Sequence, residues 1–113
     1  MRRQFIEKIS IDPYPGTLNL EIVDPESLKT FKELKAKKGL EITPENPSFC
    51  IAQCYPVLIN GQLKGAIVLP VVEGYPENKM ELIASQNIKK ALSVNTGDSL
   101  EVEILPLPFF PVQ

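Results

Sequence analysis

Apolar and polar positions divide the chain into short segments. Phe5, Ile6 and Ile9 recur at helical spacing, which predicts a short amphipathic helix over residues 2–9. Residues 10–15 break it. Residues 17–23 alternate with period two, so Leu18, Leu20 and Ile22 face inward while Thr17 and Asn19 share the other face. Asp24 is an N-cap residue and Pro25 suits the first helical position. The helix they open runs to about residue 37, with Leu28, Phe31 and Leu34 as its apolar stripe. Lys35, Lys37 and Lys38 complement the negative end of its dipole, and Gly39 is expected at C′. A phosphate patch is the other reading of these lysines; a solvated helix end explains them more simply.

The second half of the pattern is richer in strands. Residues 40–43 suit a short strand and 44–47 a turn-rich loop. Residues 49–59 run apolar up to Asn60-Gly61, a strong hairpin signal. The return strand covers 62–69 and stops at Pro70. Residues 71–78 form a loop, 80–84 a strand and 86–92 a short helix. Residues 99–105 place Leu100, Val102 and Ile104 inward against Ser99, Glu101 and Glu103. Residues 106–113 hold three prolines and read as an extended tail after a single domain at 1–105, with Phe109 and Phe110 packing back on the body. Short strands decorated by two or three brief helices make this a mostly β protein, a small barrel.

Composition narrows the chemistry. A chain of 113 residues makes one domain, and 43% hydrophobic content is that of a globular protein. Histidine is absent, which removes the commonest general base and transition-metal ligand. No catalytic base can be named. Net charge of −2 and a pI of about 5.2 argue against nucleic acid as a partner. No apolar run reaches membrane length, so no membrane partner is expected and the cytoplasm is the default location. Cys50 and Cys54 lack the second pair that a zinc site needs; they read as two reduced thiols on one strand.

One polar pair stands out. Pro13, Pro15 and Gly16 make a rigid turn that delivers Thr17 and Asn19 together at a strand mouth. Two neutral oxygen-bearing side chains there offer a half-shell for a hard cation or a phosphate. Satisfying the turn is the simpler role for such a pair.

Several segments occur in one order: Pro13-Tyr14-Pro15-Gly16-Thr17-Leu18-Asn19-Leu20, Cys54-Tyr55-Pro56-Val57, Gly65-Ala66-Ile67-Val68-Leu69-Pro70, Tyr75-Pro76-Glu77-Asn78, Met80-Glu81-Leu82-Ile83-Ala84 and Leu92-Ser93-Val94-Asn95-Thr96-Gly97-Asp98. Together they resemble the archaeal-type CTP-dependent riboflavin kinase family over nearly all of residues 2–105. The resemblance implies a six-stranded cradle-loop (RIFT-type) barrel that transfers the γ-phosphoryl of CTP to the 5′-hydroxyl of riboflavin, giving FMN and CDP. It implies Mg²⁺ on Thr17 and Asn19, since a triphosphate and water complete the octahedron around so few neutral ligands. It implies flavin contacts from Glu81, aimed by strand alternation into the barrel mouth, and from Glu73, where some members carry Thr. It implies nucleotide contacts from Gln86, Asn87, Ile88 and Lys89.

The chain also departs from that family. Ser85 stands where members commonly carry Pro, and Ile88-Lys89 where they carry Leu-Arg, so the guanidinium fork is lost. No glycine falls in the Gly-x-Gly-x-Gly loop with which members wrap CTP. The expectation is a barrel incomplete at its N-terminus, from a truncated sequence or from a natural member without the nucleotide cradle. An open edge of that kind invites a homodimer. The alternative to a kinase is a non-catalytic barrel that binds flavin or a nucleotide.

Overall fold

The computed structural model describes residues 2–43 and 51–105. In chain order these form α1 (Arg2–Ile9), β1 (Leu18–Glu21), α2 (Pro25–Lys35), β2 (Leu40–Ile42), β3 (Ala52–Ile59), β4 (Leu63–Pro70), β5 (Lys79–Ala84), α3 (Ile88–Leu92) and β6 (Val102–Ile104). The six strands make one antiparallel sheet in the order β1-β5-β4-β3-β2, with β6 also on β3. The sheet curls as a half-barrel around its larger core, which matches the mostly β architecture expected from the sequence. The loop at 44–47, Cys50 and the tail with Phe109 and Phe110 lie outside the described residues.

β3 is the spine. It pairs with β4 along its whole length. Its other edge is shared, by β2 at Ala52 to Cys54 and by β6 at Val57 to Ile59. Pro56 falls in the gap between them. Its carbonyl accepts from the Leu105 N–H (2.9 Å) on that edge, where its lack of an N–H interrupts no ladder bond. At the β3–β4 turn Asn60 and Gly61 both adopt positive φ (50° and 65°), as the hairpin signal requires. Asn60 also exchanges two 2.7 Å hydrogen bonds with the Glu101 backbone, tying the hairpin to the run into β6.

Alternation sorts side chains onto two faces. The larger core gathers Tyr55, Val57, Ile59, Ile67, Leu69, Met80 and Leu82 under Phe31 and Leu34 of α2 and Ile88 of α3. Burying Phe31 and Leu34 contributes about 1.5–3 kcal/mol each. The opposite face carries Ala52, Cys54, Ala66 and Ile83, covered by Phe5 and Ile9 of α1 together with Ile11. The Gln4 side chain seats α1 by bonding both the N–H and the carbonyl of Thr43.

Three expectations are corrected. Ile6 is 42% exposed: the buried stripe of α1 is Phe5 and Ile9, four residues apart, and Ile6 lies off it. Gly39 does not sit at C′, because α2 ends at Ala36 with ordinary right-handed backbone. Gly39 is needed for a close approach, since a Cβ there would lie 2.8 Å from the Cys54 carbonyl oxygen and 2.9 Å from the Tyr55 ring. The last strand is shorter than its alternation suggests, and Ile104 is 37% exposed at its end. Asp24 caps α2 as expected: its carboxylate accepts the Ser27 N–H at 2.9 Å, a bond that also lowers its pKa. No helix among the described residues is long and apolar enough to cross a membrane.

Candidate functional site

The register of β1 against β5 sets Asn19 directly opposite Glu81. Partners across a ladder project from the same face, so the predicted cation residue and the predicted flavin residue become neighbours. Pairing continues across the sheet as one row, Asn19–Glu81–Val68–Cys54–Leu40. Under α1 the row is apolar, with Cys54 fully buried; at the β1 end it turns polar and open to solvent. Glu81 therefore projects from the face opposite the larger core, because its neighbours Met80 and Leu82 fill that core. Burial pushes the Cys54 thiol up to about 12, so this cysteine is an inert part of the packing.

Glu81 accepts two hydrogen bonds, one on each oxygen. The Thr17 hydroxyl donates to Oε1 at 3.0 Å, and the Tyr75 phenol donates to Oε2 at 2.6 Å. Thr17 lies just before β1, after the turn at Gly16 (φ 89°) and the bond from the Tyr14 N–H to the Ala84 carbonyl (2.8 Å). Tyr75 lies in the loop between β4 and β5, with its ring against the larger core. Burial first, and then the bond and charge of Glu81, raise the Tyr75 pKa, so the phenol stays a donor.

This arrangement fixes the polarity of Thr17. A carboxylate has no hydrogen, so the Thr17 hydroxyl must give its own to Glu81. Its lone pairs remain, and they suit a cation rather than a phosphate oxygen. Among the described residues no three His, Cys, Asp or Glu side chains group as a metal cage. The donor set on offer is oxygen only, Thr17 and Asn19 with Glu81 beside them. That set fits a hard divalent cation which takes its remaining ligands from phosphate and water.

On the larger-core side of the sheet, β1 borders a groove of about 870 Å³, within the range of small-molecule sites, about 300–1,000 Å³. Its floor is apolar, with Leu18, Leu20, Phe31, Leu34 and Met80. Its polar rim includes Lys89, Thr96 and Asp98. Lys89 donates to the Thr96 hydroxyl (2.9 Å), and the Asp98 carboxylate accepts the Asn95 N–H (2.8 Å) to close the turn at Gly97. The four residues expected to touch nucleotide are thus separated by role. Lys89 faces the groove. Asn87 caps α3 by accepting the Lys90 N–H (3.1 Å), Ile88 is buried at 6% exposure, and Gln86 is exposed. Glu73 is exposed in the same loop as Tyr75. Of the α2 lysines, Lys35 bonds the Glu77 carbonyl (3.1 Å), and Lys32 pairs with the Glu77 carboxylate (3.5 Å). They brace that loop.

Tyr75 is the residue that sequence reasoning gave no role. Its signals are the Tyr75-Pro76-Glu77-Asn78 segment of the family resemblance and its place two residues beyond Glu73 in the loop leading to β5; nothing in the spacing shows that its phenol reaches Glu81.

Comparison with known proteins places the chain in a family. Residues 1–104 match the CTP-dep_RFKase family, described as a "Domain of unknown function DUF120". The chain is 33% identical over 103 residues to a riboflavin kinase of Methanothermobacter thermautotrophicus, covering 91% of this chain and 80% of that protein. It is 37% identical over 103 residues to a riboflavin kinase of Methanocella arvoryzae, and 36% identical over 107 residues to one of Archaeoglobus fulgidus. It spans 46% and 45% of the length of those two. The match runs through β1, β5 and the loop that carries Tyr75, and on it the chain belongs to the CTP-dependent riboflavin kinase family.

Proposed function

We propose that the protein serves in the phosphorylation of riboflavin to FMN, with CTP as the phosphoryl donor and Mg²⁺ as the cation. The observation that carries this reading is the pairing of Asn19 with Glu81. It brings a neutral oxygen pair suited to a cation within one ladder step of a carboxylate suited to the polar edge of a flavin. Membership in the family supplies the substrate class.

In this reading Thr17 and Asn19 hold Mg²⁺, and Glu81 accepts hydrogen bonds from the polar edge of the isoalloxazine ring. Val68, paired with Glu81 across the ladder, offers apolar surface to the ring. Glu73 approaches the flavin from the loop. Lys89, on the rim of the groove that β1 borders, places a positive charge toward the nucleotide phosphates. Gln86 and Asn87 flank it at the start of α3. When bound, the cation would neutralise charge on the transferring phosphoryl group, where catalysis is chiefly positioning and electrostatics. The residues of this chain orient the two substrates and exclude water from the apolar groove floor.

The test is direct. Incubation with riboflavin, CTP and Mg²⁺ should yield FMN, resolved chromatographically by its own fluorescence. Absence of FMN with every nucleoside triphosphate tried would sink the kinase reading. Quenching of riboflavin fluorescence without turnover would identify a flavin-binding module instead.

A further inference from the structure

The contacts around Glu81 assign a function to a residue outside the expected set. We propose that Tyr75 is a positioning residue: its phenol locks the Glu81 carboxylate, and through it the Thr17 hydroxyl, in the orientation that receives the flavin edge and the divalent cation. The inference rests on the riboflavin reading for the identity of the ligands, and on geometry alone for the lock.

Three observations carry it. First, the phenol is anchored. The Tyr75 ring packs against the larger core, and the Lys79 ammonium lies 5.4 Å from its centroid. Tyrosine has only two side-chain torsions, so an anchored ring leaves its oxygen little freedom. Second, the chain of bonds is continuous and directional. Tyr75 donates to Oε2 of Glu81 at 2.6 Å, and Thr17 donates to Oε1 at 3.0 Å. Neither donor can be reversed while Glu81 is ionised. Third, Glu81 is half-buried at the polar end of its row, where a glutamate free to rotate would lose rotamer freedom on engaging a ligand. Holding both carboxylate oxygens before ligand arrives removes much of that loss, which is preorganisation.

The consequence is coupling. The carboxylate that meets the flavin is the same group that takes the hydrogen of Thr17 and leaves its lone pairs for the cation. Loosening Glu81 must weaken both ligands together, although Tyr75 faces the cation only through two intervening side chains.

Tyr75→Phe tests this, because it keeps the ring and removes only the hydroxyl. Three readouts are needed: riboflavin affinity by fluorescence quenching, Mn²⁺ affinity by electron paramagnetic resonance in the presence of CTP, and the Thr17 side-chain rotamer in ligand-free protein from three-bond NMR couplings. The expected result is riboflavin binding weakened about tenfold, the worth of a hydrogen bond to a charged group, with Mn²⁺ binding weakened in parallel. Thr17 should pass from one rotamer to an averaged state while the thermal midpoint holds. In a Glu81→Ala background the same substitution should add no further loss. Unchanged affinities with an unchanged Thr17 rotamer would overturn the proposal. Independent losses in the double variant, or collapse of the fold in Tyr75→Phe, would overturn it equally, showing a role in packing alone. If the wild-type protein binds no riboflavin, the functional reading fails separately, and the Thr17 rotamer in ligand-free protein still decides for or against the lock.

Discussion

Thr17 gives its hydroxyl hydrogen to Glu81 across 3.0 Å, between residues 64 positions apart in the chain. The bond joins a side chain expected to hold a cation to one expected to hold a flavin. It also decides what Thr17 has left to offer, which is lone pairs.

Removing the carboxylate should therefore cost function more than fold. Glu81→Ala strips an acceptor from two donors and, on the proposed function, from the flavin edge. Riboflavin affinity should fall by about tenfold or more, the penalty of unmaking hydrogen bonds to a charged group. The side chain is half-buried at the open end of its row, so stability should change by less than about 1 kcal/mol. Fluorescence titration and urea unfolding on the same preparation separate the two.

The oxygen pair should report on the metal. Thr17→Val keeps the shape and removes the oxygen, and Asn19→Ala removes the amide. Each should raise the Mg²⁺ concentration for half-maximal FMN formation about tenfold to a hundredfold, the usual scale for damage at a metal site. Thr17→Ser, which keeps the hydroxyl, should restore most of it. Equal Mg²⁺ dependence in all variants would exclude Thr17 and Asn19 from the cation.

Gly39 should be intolerant of any side chain. A methyl group there meets the Cys54 carbonyl at 2.8 Å and the Tyr55 ring at 2.9 Å, and the ring is held by its own bond to the Lys37 carbonyl (2.7 Å). Gly39→Ala should destabilise by about 1–3 kcal/mol, as overpacking does. A left-handed cap would fail in a different way, by strain with space to spare, so Tyr55→Leu should relieve only the ring's share of the penalty and leave the share set by the Cys54 backbone carbonyl.

Cys54 links stability to alkaline pH. Burial raises its folded pKa to about 12, above the ordinary thiol value of 9.0, so the native state keeps a proton that the unfolded chain releases. Stability from this group is full below pH 9 and falls as pH rises from 9 toward 12, by up to about 1.4 kcal/mol per unit. Urea midpoints at pH 8, 9 and 10 should decline more steeply in wild type than in Cys54→Ala. In a Cys50→Ser background, a thiol reagent at pH 8 should label Cys54 only at the rate of unfolding.

Local patterns determined a good part of this protein. Period-two alternation marked Leu18, Leu20 and Ile22 as facing inward, where they pack against the larger core, and the Asp24-Pro25 cap and the Asn60-Gly61 turn mark their elements within a residue or two. These signals are legible because each depends on neighbours a few positions away. Thr17 and Asn19 were visible as a pair for the same reason. What stood beside them was not. Gly39 looked like a helix end until Tyr55 was placed against it, and Tyr75 had no visible task until its loop folded over β5. Only the register of β1 on β5 puts Asn19 opposite Glu81, and a slip of one residue would turn every side chain of β1 to the other face. That register is set by core packing summed over the whole sheet. Alternation alone therefore supplied the polar pair, and tertiary structure supplied the carboxylate that determines what the pair can bind.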